Sequence, residues 1–166
     1  TKNNDNGYLD FTLLKLNTKV PLTYRPYFAG WDARDIYPSK TVTIHHPWGD
    51  VKKISADYDN PVSATYTGYE YDLFTFWHIK EWDYGTTEGG SSGSALFNSD
   101  KRVIGTLTGG EAECGSSVND YYQKLLVSFD KYQADTMQLK HWLDPDNSGV
   151  RVLDGYEPVI NTNNIT

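Results

Sequence analysis

The chain has 166 residues, with 13 Tyr, 5 Trp and a single Met, enough for one domain with a real core and weighted toward side chains that suit a half-buried pleated face. A net charge of −7 argues against a nucleic-acid footprint, and no run approaches the ~18 consecutive apolar residues of a membrane span. No signal peptide is visible, and the opening at Thr1 without a Met predicts processing or truncation upstream.

In chain order, "GYLDFTLLKLN" (7–17) predicts a strand, with Phe11, Leu13 and Lys15 on one face and Asp10, Thr12, Leu14 and Leu16 on the other. Pro21, Pro26 and Pro38 make 20–40 a connector with short extended pieces. "TVTIHHPWGDVKKISAD" (41–57) reads as two short strands around a turn punctuated by Pro47 and Gly49. "DLFTFWHIKEW" (72–82), "SALF" (94–97), "RVIGTLT" (102–108) and "QKLLVSF" (123–129) follow as strands, with "NSDK" as the hairpin turn between the middle two. One helix is expected at "DTMQLKHWL" (135–143), where Asp135 caps, Gln138 completes a capping box and Pro145 stops it. The tail "EPVINTNNIT" (157–166) is polar and aperiodic, and internal repeats are absent. About seven short strands and one late helix predict an all-β barrel or sandwich.

The stretch "EGGSSGSALFNSDKRVIGTLTGG" (88–110) crowds glycines and serines ahead of a strand that has no use for them. A serine acting in acyl transfer needs a sharply bent backbone that presents its hydroxyl and aims N–H groups at an oxyanion, and flanking glycines permit that bend. The pattern G-x-S-x-G does not fit, because Ser94 stands two residues after Ser92. On these residues alone an ordinary Gly/Ser loop stays open. So do two readings of Cys114 in "EAECGSS": a lone thiol, or half of a disulfide whose partner lies outside this sequence.

"GSSGSALFNSDKRVIG" resembles the "GDSGGPL" block of chymotrypsin-like serine peptidases, and "LDFTLLKLN" is similar to their "DITLLKL" block. The resemblance implies Ser92 as nucleophile, the Gly90 and Ser92 amides as oxyanion hole and Asp10 as the triad aspartate. An Asp inside an otherwise apolar strand is costly unless paired, so a role orienting a histidine is physically sensible. "YFAGWDARD", "TVTIHHPWGDVKKIS", "TEGGSSGSALF", "TGG", "DYY" and "LKHWLDPDNSGVRVLDGY" narrow the resemblance to the lysyl endopeptidase branch, in the right order over nearly all of 8–156. Its implied architecture is all-β. Residues 1–20 would be the last strand of a first barrel, 21–40 the inter-barrel connector, 41–156 the second six-stranded barrel with a short C-terminal helix, and 157–166 a tail.

The resemblance also has departures. The family's triad histidine precedes its aspartate, yet no histidine precedes Asp10; His45, His46, His78 and His141 are read as structural or solvent-facing. The base is therefore expected on an upstream segment, to which Cys114 would be disulfide-bonded, and this chain alone is expected to be inactive. Ala95 replaces a usual proline, Thr108 stands where the branch carries a histidine that stacks near the triad, and Ser91 replaces the aspartate used in trypsinogen-type activation.

Thr86 occupies the place of trypsin's selecting aspartate, so the resemblance passes that role to Asp120 in "CGSSVNDYY". A carboxylate at a pocket base selects a cationic side chain by charge pairing that strengthens with desolvation. A plain turn residue is the alternative there. Gly109, Gly110 and Thr108 would line the pocket wall and pair with substrate backbone, and Glu111 and Glu113 would add negative charge to its rim. The whole implies a secreted endopeptidase that cuts polypeptides after a basic residue, lysine preferred, without metal or organic cofactor, completed by its N-terminal barrel. A non-catalytic peptidase-fold binding module and an adhesive β-domain are the rivals. The adhesive reading would set Asp10 and Ser92 apart in space.

Overall fold

A computed structural model describes residues 9–67 and 70–159. Nine strands run in the order β1 (Gly30–Asp32), β2 (Thr41–His45), β3 (Lys53–Asp57), β4 (Val62–Ala64), β5 (Phe76–Glu81), β6 (Ala95–Phe97), β7 (Arg102–Gly110), β8 (Val118–Lys124) and β9 (Val152–Leu153). Two short helices, α1 (Leu125–Asp130) and α2 (Lys140–Leu143), separate β8 from β9.

The sheet order is β3-β2-β6-β7-β8-β5-β4, antiparallel throughout, while β1 joins β7 in parallel and β9 pairs with β1. The sheet curls far enough for Ala56 of β3 to exchange both backbone hydrogen bonds with Tyr84, just past β5, at 2.9 and 3.0 Å. That exchange closes the six strands β3, β2, β6, β7, β8 and β5 into the barrel the sequence implied.

Trp77, Ile79, Leu96, Ile104, Leu107 and Tyr122 fill the barrel. Trp77 and Ile79 share one face of β5 two residues apart, while Ile104 and Leu107, three apart on β7, both turn inward because the β6–β7 register shifts at Ile104. β2 is different: its buried positions are Thr41, Thr43 and His45, so a β-branched strand turns a polar edge inward and leaves Ile44 outside, opposite Ile54. A second cluster packs Trp31 against Leu125, Phe129 and Leu139, and a third packs Leu9 against Val127, Tyr132 and Met137.

Three local expectations change. The described part of 7–17 is irregular and joins no ladder: Leu9 is buried and Phe11 half-buried against α1, whereas Leu13, Leu14 and Leu16 are exposed. A strand needs a ladder with a neighbour, and no ladder among the described residues includes this segment. The run expected as a strand at 123–129 turns instead into α1 after Lys124. It is apolar on every side, with Leu125 and Phe129 facing Trp31 and Val127 facing Leu9, so periodicity does not distinguish helix from strand there. The helix expected at 135–143 breaks at Gln138 (φ −120, ψ 128) into a 3-10 turn at Asp135–Met137 and the four-residue α2. Asp135 makes no cap; its carboxylate lies 3.2 Å from His141 Nε2.

Candidate functional site

The turn 88–94 is built by its glycines and tied down by its serines. Gly90 (φ +90) and Gly93 (φ +80) take left-handed conformations that strain any other residue, and a Cβ on Gly90 would meet Trp48 N at 3.0 Å. The three serines between and beside them differ sharply. Ser91 is 2% exposed, Ser94 is half-buried, and Ser92 is exposed with no hydrogen-bond partner among the described residues.

The backbone amides of the turn divide the same way. Ser91 N–H donates to Glu88 O at 3.0 Å, Gly93 N–H to Leu107 O at 2.8 Å, Ser94 N–H to Ser91 O at 3.1 Å and Glu88 N–H to Ser91 Oγ at 3.3 Å. Those of Gly89, Gly90 and Ser92 have no acceptor among the described residues. The turn therefore offers an unpaired hydroxyl at Ser92 and unpaired amide donors at Gly89, Gly90 and Ser92 among the described residues.

Ser92 and Asp10 line one cleft, together with Phe11, Trp31, Leu107 and Leu139. Asp10 is held there by its neighbours: Leu9 and Phe11 plug into the core on either side, and Asp10 N–H donates to Gln123 Oε1 at 3.2 Å. Its carboxylate stays exposed, with no partner among the described residues.

Asp120 belongs to β8 rather than to a turn, opposite Gly110 of β7. It is 1% exposed, and its Oδ2 accepts from Trp82 Nε1–H at 2.7 Å and Thr87 Oγ1–H at 2.6 Å. Burial pushes its carboxyl above the usual carboxylate range, against those two hydrogen bonds and nearby His78. Oδ1, under Gly110, has no donor among the described residues, and no Lys or Arg pairs with the group.

On β7, Leu107 N–H and O are taken by Ser94 and Gly93, and the ladder to β8 slips between Leu107 and Gly109. Thr108 falls at this bulge with its hydroxyl buried and unpaired, and the β6-side edge of Thr108, Gly109 and Gly110 is open among the described residues. Trp82 and Thr87 were not singled out by sequence. Thr87 had a local signal, five residues before Ser92, but Trp82 had none.

The sequence profile of the lysyl endopeptidase C-terminal domain matches residues 1–123. The chain belongs to this family. A lysyl endopeptidase of Pseudomonas aeruginosa is 36% identical over 121 residues, covering 68% of this chain and 25% of that protein. The chain thus spans about a quarter of that relative's length. The crystal structure of Rv3671c from M. tuberculosis H37Rv, a serine-to-alanine mutant in an inactive form, is similar with a TM-score of 0.39 and 15% identity over 57% of this chain and 46% of that one.

For a lysyl endopeptidase C-terminal domain, the histidines matter most. None of the four hydrogen-bonds Ser92. His46 Nδ1 faces Asp50 O at 3.0 Å, His78 stacks on Tyr121 and faces Asn119 Oδ1 at 3.0 Å, and His141 faces Asp135. His45 is buried, with Nδ1 2.8 Å from Ser91 Oγ and Nε2 3.2 Å from Ser55 Oγ. Cys114 is an exposed free thiol whose N–H donates to Glu88 Oε1 at 3.1 Å. Among the described residues no group of three His, Cys, Asp or Glu is placed to hold a metal, and no helix is long and apolar enough to cross a membrane.

Proposed function

We propose that the intact protein is a secreted serine endopeptidase that cuts after lysine, with Ser92 as nucleophile and Asp10 as the orienting carboxylate. The observation that carries the reading is the exposed Ser92 hydroxyl in one cleft with Asp10, on a turn whose Gly90 and Ser92 amides are free. An imidazole from the N-terminal barrel, beyond the quarter of the relative that this chain spans, enters between them. It takes the Ser92 proton as Oγ bonds to the scissile carbonyl carbon, and the Gly90 and Ser92 amides hold the oxyanion. Collapse breaks the C–N bond, the imidazolium protonates the leaving amine, and water then hydrolyses the acyl-enzyme by the same route reversed. Asp10 steadies the imidazolium. Cys114 joins this half to the other through a disulfide.

Lysine selection rests on Asp120. A buried carboxylate with no cation and one unused oxygen is an uncompensated charge, and a substrate ammonium answers it. The open edge of 108–110 accepts substrate backbone as an added strand.

The test is labelling of the full-length protein with a fluorophosphonate, followed by peptide mapping. One adduct on Ser92, lost in Ser92→Ala together with hydrolysis of lysyl-amide substrates, supports the assignment. An adduct elsewhere, or turnover surviving Ser92→Ala, ends it, and a protein inert to both is the binding module of the same fold.

A further inference from the structure

Three serines surround two glycines in 90–94, and one exposed hydroxyl explains only Ser92. The other two are explained by β2. Its consecutive inward side chains reach across to the turn on either side of Ser92: His45 Nδ1 meets Ser91 Oγ at 2.8 Å, and Thr43 Oγ1 meets Ser94 Oγ at 3.3 Å and donates to Ala95 O at 3.0 Å. β2 is held in turn by β3, where Ser55 Oγ lies 3.2 Å from His45 Nε2. Both ring nitrogens of a 2%-exposed imidazole thus face hydroxyls. A neutral imidazole donates from one nitrogen and accepts at the other, and each serine hydroxyl can take either part, while Ser91 Oγ also accepts from Glu88 N–H at 3.3 Å. The neutral ring is satisfied at both ends, as a buried polar group must be.

A Ser–His contact of 2.8 Å has the form of a nucleophile and its base, but Ser91 is buried and no acyl group reaches it. The pair has structural consequences instead. Trp48 N–H donates to Gly89 O at 2.7 Å, and Gly90 packs directly under Trp48, so the turn touches the chain beyond β2 at its start and the His45 ring at its centre.

We propose that His45 is a positioning residue for the nucleophile turn: bridging Ser55 and Ser91, it fixes the segment that carries the Gly90 and Ser92 amides and the Ser92 hydroxyl. This rests on the reading of Ser92 as nucleophile. Without the bridge the turn keeps its glycine geometry and its Thr43 clasp, but its centre is no longer referenced to β2 and β3. A displacement of about 1 Å there costs on the order of 10²-fold in turnover with little change in substrate binding.

The experiment uses the full-length protein and four variants: His45→Phe, His45→Asn, Ser91→Ala and the double variant His45→Phe/Ser91→Ala. Expected are a fall in kcat of roughly tenfold to hundredfold in His45→Phe and Ser91→Ala with KM within about twofold, and a double variant no worse than the worse single. His45→Asn, which keeps a polar group toward Ser91, restores part of the loss. A second readout needs no catalysis: amide hydrogen exchange at Gly90 and Ser92 speeds up in His45→Phe and Ser91→Ala while β7 and β8 keep their protection. Ser91→Ala, the smaller change, serves where His45→Phe does not fold. Additive losses in the double variant, or unchanged exchange at Gly90 and Ser92, overturn the positioning role even if Ser92 is the nucleophile. Undiminished turnover in Ser92→Ala, run alongside, overturns the nucleophile assignment and the catalytic meaning of the bridge with it.

Discussion

Trp82 and Asp120 share a 2.7 Å hydrogen bond inside the barrel, from the indole Nε1–H to a carboxylate that meets no lysine or arginine among the described residues. This buried carboxyl comes at a cost to the fold: burial raises the Asp120 pKa, so ionising the group at neutral pH works against folding. The sign follows directly. Stability associated with the protonated form is full below the unfolded carboxylate pKa of about 3.9 and is lost as pH rises through the higher folded value.

Asp120→Asn should therefore do two opposite things. It keeps an oxygen for Trp82 and Thr87 while removing the buried charge, so its Tm should exceed that of the unaltered chain at pH 7, and the gap should shrink toward pH 4. In the full-length protein the same change should cut kcat/KM for lysyl substrates by about 10²–10³-fold, the scale of a buried charge pair. Thermal melts against pH and kinetics on lysyl and neutral P1 peptides check the two halves. Lysine preference surviving in Asp120→Asn would remove Asp120 from the pocket.

Gly90→Ala should be costly even though it adds one carbon. The position is held at φ +90, and the new Cβ would stand 3.0 Å from Trp48 N, so the turn must shift and carry its amide away. Strain of about 1 kcal/mol or more is expected in a melt of the chain. Loss of one oxyanion donor corresponds to roughly 10²–10³ in kcat for the full-length protein. Gly93→Ala is the control: its φ is also positive, but a Cβ there would meet nothing within 4 Å. Its effect should be confined to backbone strain.

The contrast between these glycines shows how much the sequence carried. The turn, the hairpin at 98–101 and the β2–β3 pair were legible because glycine, asparagine and proline leave local signatures: Lys101 takes φ 62 and Asn98 Oδ1 accepts from Asp100 and Arg102 N–H, as a tight turn requires. α1 was not legible, since Leu125 and Phe129 pack on the Trp31 cluster while Val127 packs on the Leu9 cluster, and an apolar run buried on two sides reads equally as strand or helix. Nor were the contacts of Asp120 with Trp82, 38 residues earlier, or of His45 with Ser91, 46 residues later, because nothing local encodes them. Motif resemblance singled out Ser92 and Asp10; the fold gives Ser91 and Ser94 their partners, His45 and Thr43.

Leu9 and Asp10 make a further prediction. Leu9 is 2% exposed against Val127, Tyr132 and Met137, and with Phe11 it sets where Asp10 stands in the cleft. Leu9→Ala should lower stability by about 2–5 kcal/mol if the cavity does not collapse. In the full-length protein it should also reduce kcat more than KM, because the orienting carboxylate loses its anchor. A Leu9→Met variant, close in volume, should keep both properties. A loss of stability without any change in kcat would show that Asp10 is held by something else.

His45 gives a pH signature separate from that of Asp120. Burial lowers its pKa below 6.5, nearby His46 adds to the shift and Glu88 opposes it, so the folded chain binds the proton less readily than the unfolded one. Stability should therefore fall as pH drops below about 6.5 and level off once the folded value is passed. His45→Asn, which cannot titrate, should flatten that limb of the Tm–pH curve without touching the Asp120 limb, which has the opposite sign. An unchanged slope between pH 6.5 and 5 in His45→Asn would show that the ring is not the group responsible.

Lys124 should act at the alkaline end. Its ammonium is 5% exposed, donates to Ser63 Oγ at 2.5 Å and Phe74 O at 2.9 Å, and lies 4.4 Å from the Trp77 ring centroid, but pairs with no carboxylate among the described residues. Burial pulls its pKa down to about 8 from 10.5. The unfolded chain then holds more protons than the folded one between those values, so stability should rise with pH across that window. The clean interval is roughly pH 8 to 9.5, below the ordinary tyrosine pKa of about 10. Lys124→Met keeps the stem volume and removes the charge, at the expense of one of the Phe74 carbonyl's two donors, Ser63 Oγ–H remaining at 3.2 Å. Its Tm should be flat across the same interval. If both proteins rise equally, the gain belongs to another group; if neither rises, the Lys124 ammonium is answered by its hydroxyl, carbonyl and ring contacts alone.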